Sequence, residues 1–161
     1  MRPIAKDELN DRLVDGSTLQ KVCFDKTQRV ATLTFMLDDR GPKGSPVFFH
    51  CKSVFQIRLA TYFSDDFSPL GVCPAPTPSD LDQVIQAFND QYIFEWTMDC
   101  DELVPPPKNG KTILLWDEPP PSPPYRGIGV FKDKNTGHFQ LLIIGTDLLI
   151  NENLTPGFYS R

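Results

Sequence analysis

The chain has 161 residues, of which 40% are hydrophobic, and its formal net charge at pH 7 is −5. This length and apolar content predict a single domain over residues 1–161 with its own hydrophobic core, and they exclude global disorder. The negative charge argues against a nucleic-acid partner, because affinity for the phosphate backbone comes mainly from Lys and Arg. The 16 prolines favour short strands joined by turns over a helical bundle.

No segment has the apolar length of a signal peptide or a membrane span, so we expect a cytoplasmic protein without a membrane partner. The cysteines are spaced widely and form no C-x-x-C pair. In a reducing compartment this pattern favours buried thiols over disulfides or a zinc site, and no metal or other cofactor is predicted. The four cysteines are Cys23, Cys51, Cys73 and Cys100.

The first part of the chain predicts a short helix followed by a hairpin. Residues 3–15 are compatible with one or two helical turns that stop at Asp15 and Gly16. The apolar period then shortens to two, and Leu19–Asp25 and Arg29–Leu37 are typical of the two arms of a hairpin.

A second pair of strands is predicted from alternating apolar residues and a short polar link. In the later strand Ile57 and Leu59 alternate with Gln56 and Arg58, which is the pattern of a sheet with one solvent-exposed face. The two predicted strands are Val47–Cys51 and Val54–Phe63.

The segment 79–89 predicts a helix that packs on the sheet. Ser79 is expected at the N-cap, with Asp80 and Asp82 in the first turn, where negative charge is favourable. Four apolar residues follow at helical spacing, which indicates one buried face. These residues are Leu81, Val84, Ile85 and Phe88.

The stretch from Tyr92 to Trp116 combines an aromatic strand, an acidic cluster and a second apolar strand. The aromatic strand places four large side chains on one face, which predicts a strand at the centre of the core. The acidic cluster comprises Asp99, Asp101 and Glu102, and it must be solvated or partnered because unpaired buried carboxylates are very costly. A solvated strand edge is favoured, and a cation site or acid–base pair is the alternative.

The segment Asp117–Tyr125 has five prolines in six positions, which favours an extended polyproline II helix. Its two proline-containing pairs followed by Arg126 match the arrangement of an SH3-domain ligand. Trp116 and Tyr125 on either side form a candidate contact patch, since both residue types are enriched in binding hot spots. The full candidate partner-binding set is Asp99, Asp101, Glu102, Trp116, Asp117, Glu118, Pro121, Pro124, Tyr125 and Arg126.

The last part of the chain predicts one more hairpin and a tail. Gly127–Lys132 and His138–Ile144 form the arms of the hairpin. Leu148–Ile150 is expected to extend the second arm after a break at Gly145, and residues 151–161 are expected to be a loosely packed tail.

Together these elements predict an α+β domain with a mainly antiparallel sheet of about seven or eight strands, curled or in two layers, and one packed helix near 79–89. The favoured function is a non-catalytic cytosolic protein-binding module whose acidic surface binds a basic protein partner. One concrete form is an inhibitor or immunity-type protein. Two alternatives stay open: a small-ligand binder or enzyme that uses carboxylates or Cys51 in a cleft between sheet and helix, and a structural subunit such as a homodimer. No catalytic residue is assigned.

Overall fold

The computed structural model describes most of the chain in segments. The predicted helix over residues 3–15 falls outside these segments from residue 5 onward, as do Asp101, Glu102 and the tail beyond residue 152. For residues 91–92, 96–100, 133–134, 137 and 152, only the backbone is described. The described residues are 1–4, 18–36, 46–62, 67, 70–71, 76–89, 91–92, 96–100, 103, 105–106, 108–134 and 137–152.

The described residues form two antiparallel sheets. In chain order the strands are β1 (Arg2–Pro3), β2 (Thr18–Asp25), β3 (Val30–Met36), β4 (Pro46–Lys52), β5 (Gln56–Thr61), β6 (Gln91–Tyr92), β7 (Trp96–Cys100), β8 (Thr112–Asp117), β9 (Tyr125–Lys134), β10 (Gly137–Gly145) and β11 (Asp147–Glu152). The six-stranded sheet has the order β1-β11-β4-β3-β2-β6, and the five-stranded sheet has the order β7-β9-β10-β5-β8.

Alternating apolar residues bring the inner faces of the two sheets together around one core. In β3 and β4 every second residue is buried, so Leu33, Phe35 and Phe49 point inward while their neighbours point outward. The rings of Phe35 and Phe49 meet edge to face with their centroids 5.1 Å apart. Ile57 and Leu141 bring the five-stranded sheet into the same core.

The helix packs on this core as predicted, although it is shorter than the predicted 79–89 and follows a 3-10 turn. A 3-10 turn, Pro78–Asp80, leads directly into α1, Leu81–Gln86. The N-terminal cap is Thr77 instead of Ser79, and the Asp80 carboxylate accepts a hydrogen bond from the Thr77 backbone N–H at 2.7 Å. Buried apolar residues on one face of α1 join the core: Leu81, Val84 and Ile85.

The aromatic strand at the start of the stretch from Tyr92 to Trp116 was predicted to be central, but its described backbone lies at sheet edges. β6 lies at an edge of the six-stranded sheet, and β7 lies at an edge of the five-stranded sheet. β8 lies at the opposite edge of the five-stranded sheet. The central strands of this sheet are instead β9, β10 and β5, because β10 pairs with both of the others.

The expectation that Leu148–Ile150 extends the preceding strand was also wrong. These residues belong to β11, which pairs with β4 in the other sheet. The chain crosses between the sheets at Gly145, where a Cβ atom would lie 2.3 Å from the carbonyl oxygen of Lys52. A side chain does not fit there without movement of the backbone, so the glycine permits this crossing.

The outward face of β5 is not exposed to solvent, contrary to the prediction for Gln56 and Arg58. All six residues of β5 are buried, and these two side chains are only 7% and 8% exposed. A second apolar cluster on this outer side contains Phe55, Tyr125, Leu142 and Ile144, with Leu103 packed against it.

The mainly antiparallel α+β class with one packed helix is confirmed. Within the described residues, nine strands are five residues or longer, somewhat more than the seven or eight expected. No helix in the described segments has the length and apolar character that crossing a bilayer requires.

Candidate partner-binding surface

The proline segment, defined here as residues 119–124, begins where β8 leaves the five-stranded sheet. The backbone N–H of Glu118 donates to the carbonyl of Phe55 at 2.8 Å. The Glu118 Oε1 atom lies 2.6 Å from Nε of Arg29, and the two side chains are 25% and 54% exposed. These contacts fix the first end of the segment against the turn between β2 and β3 and against the link between β4 and β5.

The second end of the proline segment is fixed by Tyr125. Its ring is buried against Phe55, with the ring centroids 5.2 Å apart. Its hydroxyl donates to the carbonyl of Pro121 at 2.7 Å. Both ends of the segment are therefore attached close to Phe55.

Between these attachments every residue from Pro119 to Pro124 is exposed. Proline has no backbone N–H, so these residues leave few donors unsatisfied when they leave the sheet. Pro121 and Pro124, predicted as contact residues, lie within this exposed run. The segment bends at Ser122 and Pro123, so it is not one continuous straight polyproline helix.

Tyr125 and Arg126 contribute to the framework and not to the exposed run. Tyr125 is only 7% exposed. Arg126 is half-buried and donates from Nη1 to the carbonyl of Ile4 at 2.6 Å. The SH3-ligand interpretation requires Arg126 to be presented to a partner, so we leave this residue out of the proposed contact surface.

Trp116 and Asp117 lie at the end of β8, immediately before the segment. Trp116 is half-buried and packs edge to face on Phe24, with the ring centroids 5.1 Å apart. Asp117 is exposed and accepts a hydrogen bond from Gln56 at 3.2 Å. Asp117 supplies the negative charge at the base of the segment, because the charge of Glu118 is offset by Arg29.

A cavity of about 250 Å³ lies beside the segment. Three chain segments meet around it, and the backbone N–H of Val54 donates to the carbonyl of Arg29 at 2.9 Å. Arg29 and Ser53 both have left-handed backbones, with φ of 57° and 53°. Strained backbone of this kind is concentrated at ligand clamps and switch regions. The lining residues are Gln28, Arg29, Ser53, Val54, Phe55, Glu118, Pro119 and Pro121.

The acidic cluster of the sequence is only partly placed. Asp101 and Glu102 lie outside the described residues. Asp99 lies on β7, where its backbone is in register with Arg126 of β9. Across the described segments, no group of three His, Cys, Asp or Glu residues is arranged to hold a metal ion.

Cys51 lacks the properties of a nucleophile. It is fully buried in the core on β4, and burial raises the pKa of its thiol to about 12. His138 lies on the other sheet. His50 directly precedes Cys51 on β4 and points to the opposite, outward face. A cavity of about 270 Å³ does lie between β2 and α1, but it is lined by Cys23 and Asp82 and not by Cys51.

Sequence reasoning missed Gln28, Arg29 and Ser53 as neighbours of the proline segment. They are separated from it by more than sixty residues in the chain, and neither turn has a motif that indicates binding. The only local signal is that Gln28 and Ser53 fall in predicted links between strands, where binding residues are concentrated. Arg29 was predicted to be the first residue of a strand.

Comparisons with models of known families, with curated proteins and with solved structures found no match.

Proposed function

We propose that this protein is a non-catalytic protein-binding module that presents the proline segment and the neighbouring acidic residues to a basic protein partner. One observation carries the proposal: residues 119–124 are exposed throughout, yet both ends of the segment are fixed to the sheet. A segment that is exposed and attached at both ends is suited to presenting a fixed surface to a partner.

Rigidity is favourable for binding because less conformational entropy is lost when a partner docks. Proline residues are already restricted, and the contacts of Glu118 and Tyr125 restrict the segment further. The cavity beside Arg29 and Glu118 offers a place for one side chain of the partner. The partner is expected to be basic because the exposed Asp117 directly precedes Glu118 and the segment, and because the whole chain carries a net charge of −5.

The test is capture of the partner from lysate of the source organism on immobilised protein, with elution in rising salt and identification by mass spectrometry. Two variants alter the proposed surface: Asp117→Lys, and Pro119→Ala combined with Pro120→Ala. We expect both to lose a basic protein that the wild type retains. The proline variant tests the segment itself, and the charge variant tests the sign of the partner.

Asp82→Lys is the matched control, because it makes the same charge change on α1 and does not line the cavity beside the proline segment. This variant is expected to retain the partner. Equal retention by wild type and all variants, or no specific retention at all, would contradict the proposed surface. Circular dichroism of each variant checks that the fold is intact.

A homodimer is the second candidate, and it rests on the exposed edge strand β8. Among the described residues, Leu114 is one of two large apolar side chains that are substantially exposed, at 38%. An unpaired strand edge can pair with the same edge of a second copy. Sedimentation equilibrium of wild type and Leu114→Lys tests this, because the variant is expected to shift a dimer to monomer. A wild type that is already monomeric would exclude it.

A further inference from the structure

The outward face of the six-stranded sheet carries a trough of about 390 Å³. It shares only Gln28 with the cavity beside the proline segment. The middle strand, β3, supplies short side chains to the floor, and β2 and β4 supply the two walls. The lining residues are Met1, Cys23, Asp25, Gln28, Val30, Thr32, His50 and Lys52.

Strand register determines which groups face each other across the trough. Cys23 pairs with Thr32, and Thr32 pairs with His50, so these three residues form one row across the sheet. Asp25 pairs with Val30 in the next row, and Lys52 follows His50 by two residues on the same face of β4. Neighbouring strands lie about 4.8 Å apart, so the two walls are separated by roughly 10 Å, which is the width of a small molecule.

The β4 wall offers two hydrogen-bond donors. The hydroxyl of Thr32 lies 3.1 Å from Nδ1 of His50 and fixes the ring. When a neutral ring accepts the hydroxyl proton at Nδ1, it carries its own proton on Nε2 and donates from there. Neither Nε2 of His50 nor the ammonium of Lys52 has a hydrogen-bond or ion-pair partner in the described part of the chain.

The charges around the ring favour an anion at the β4 wall. Burial first, and then the nearby Lys52 and the Met1 amino group, lower the pKa of His50. The opposing Asp25 on β2 accepts hydrogen bonds from the backbone N–H groups of Thr27 and Gln28 at 2.9 and 3.0 Å. Asp25 is also about one Debye length away at physiological salt, so its repulsion is weak. Cys23 faces the ring from β2, and Asp147 on β11 is in register with Lys52.

We propose that this trough binds the oxyanion group of a small molecule, a carboxylate or a phosphate, through the Nε2–H of His50 and the ammonium of Lys52. Thr32 is the positioning residue that orients the ring. The trough is larger than one oxyanion, so the rest of the ligand reaches the β2 wall. A hydroxyl or ammonium group on that part of the ligand complements Asp25.

The two histidines of the chain make the test direct, because each gives its own ring signals in proton NMR. The pH titration of both rings is followed with inorganic phosphate and, separately, with acetate, at constant ionic strength in a buffer free of other oxyanions. We expect the bound anion to raise the pKa of His50, because it stabilises the protonated ring. His138 does not line the trough and is expected not to respond. The anion with the larger effect identifies the class of ligand.

Three variants complete the test. His50→Gln assigns the signals, and Lys52→Met is expected to weaken anion binding by about tenfold or more, as for the loss of one charge-assisted hydrogen bond. Lys26→Met is the matched control, because Lys26 is an exposed lysine outside the lining of the trough, and it is expected to bind like the wild type. The proposal is overturned if neither anion moves His50, if His138 responds equally, or if Lys52→Met binds like the wild type.

Discussion

The outward faces of the two sheets use similar strands in opposite ways. On the six-stranded sheet, Thr32 and His50 are half-buried, and they line a trough that is open to solvent. On the five-stranded sheet, the outward residues of β5 are covered, and Gln56 and Arg58 are 7% and 8% exposed. One face is available for binding, and the other belongs to the interior.

The covered face must satisfy its polar groups without bulk water. Arg58 donates from Nε to Gln56 at 2.6 Å, and Gln56 donates to Asp117 at 3.2 Å. Tyr62 donates to Gln140 at 2.8 Å. On the open face, water can replace a lost partner. Removal of a polar group should therefore destabilise the protein more on the covered face than on the open face.

The largest loss of stability is expected in the core between the two sheets, where Cys51 is buried. Burial raises the pKa of its thiol from 9.0 to about 12. The folded state therefore holds this proton more tightly than the unfolded state, so stability is intact below pH 9 and is lost as the pH rises toward 12. Over this range the loss is about 4 kcal/mol from this group alone. Urea unfolding at neutral pH and at about pH 10 measures this. Between the two pH values, the free energy of unfolding should fall more in the wild type than in Cys51→Ala. An equal fall in both proteins would contradict the prediction.

On the covered face, Arg58→Ala is expected to lower the free energy of unfolding by about 3 kcal/mol. The substitution leaves Gln56 Oε1 buried without its charged donor and removes the packing of the Arg58 methylene groups. The comparison is Lys21→Ala, an exposed residue on β2 of the other sheet, which should change stability by about 0.5 kcal/mol at most. Urea unfolding midpoints measure both. Similar small effects for the two variants would mean that the outer side of β5 is in contact with water.

Removing one hydroxyl group from each face gives a second comparison, with smaller expected changes in the free energy of unfolding than for Arg58→Ala. Tyr62→Phe removes the donor to Gln140, a residue that is 4% exposed, and is expected to cost about 2 kcal/mol. Thr32→Val removes the contact with His50 on the open face and is expected to cost less than about 1 kcal/mol. Thermal or urea unfolding of both variants gives the comparison, and the opposite order would refute it.

The alternating pattern of the sequence predicted which residues share a face, and this was enough for the antiparallel hairpins β2–β3 and β9–β10. It did not indicate whether a face is covered, since that depends on chain segments far away in sequence. One signal was present: the unbroken apolar run from Leu141 to Ile144 is typical of a strand buried on both sides.

The candidate site was predicted in part. Proline content identified residues 119–124 as an extended segment outside the sheets, and the structure places them in the open. The roles of Tyr125 and Arg126 were not predictable, because their partners, Phe55 and Ile4, are brought close by the fold. The trough around His50 was missed for the same reason. Predicting the trough requires the register of β2, β3 and β4, whereas the pattern of a single strand indicates only the residues of one wall.

The smallest expected effect is on the open face, where His50 should make stability depend on pH. Its pKa is lowered in the folded state by burial first and then by Lys52 and the Met1 amino group. The unfolded chain therefore takes up the proton at higher pH than the folded chain. The contribution is fully present above pH 6.5, the ordinary histidine value, and is lost as the pH falls through the folded pKa. Because the ring is only half-buried, this loss should be smaller than the losses from Cys51 or Arg58.

Urea unfolding of wild type and His50→Gln, from neutral pH to about pH 5 in a buffer free of oxyanions, should show this loss of stability in the wild type alone. Parallel curves would show that the open face holds the ring in both charge states equally well. A dependence that disappears when phosphate is added would connect the pH effect to the trough, since a bound anion raises the pKa of His50 back toward its ordinary value.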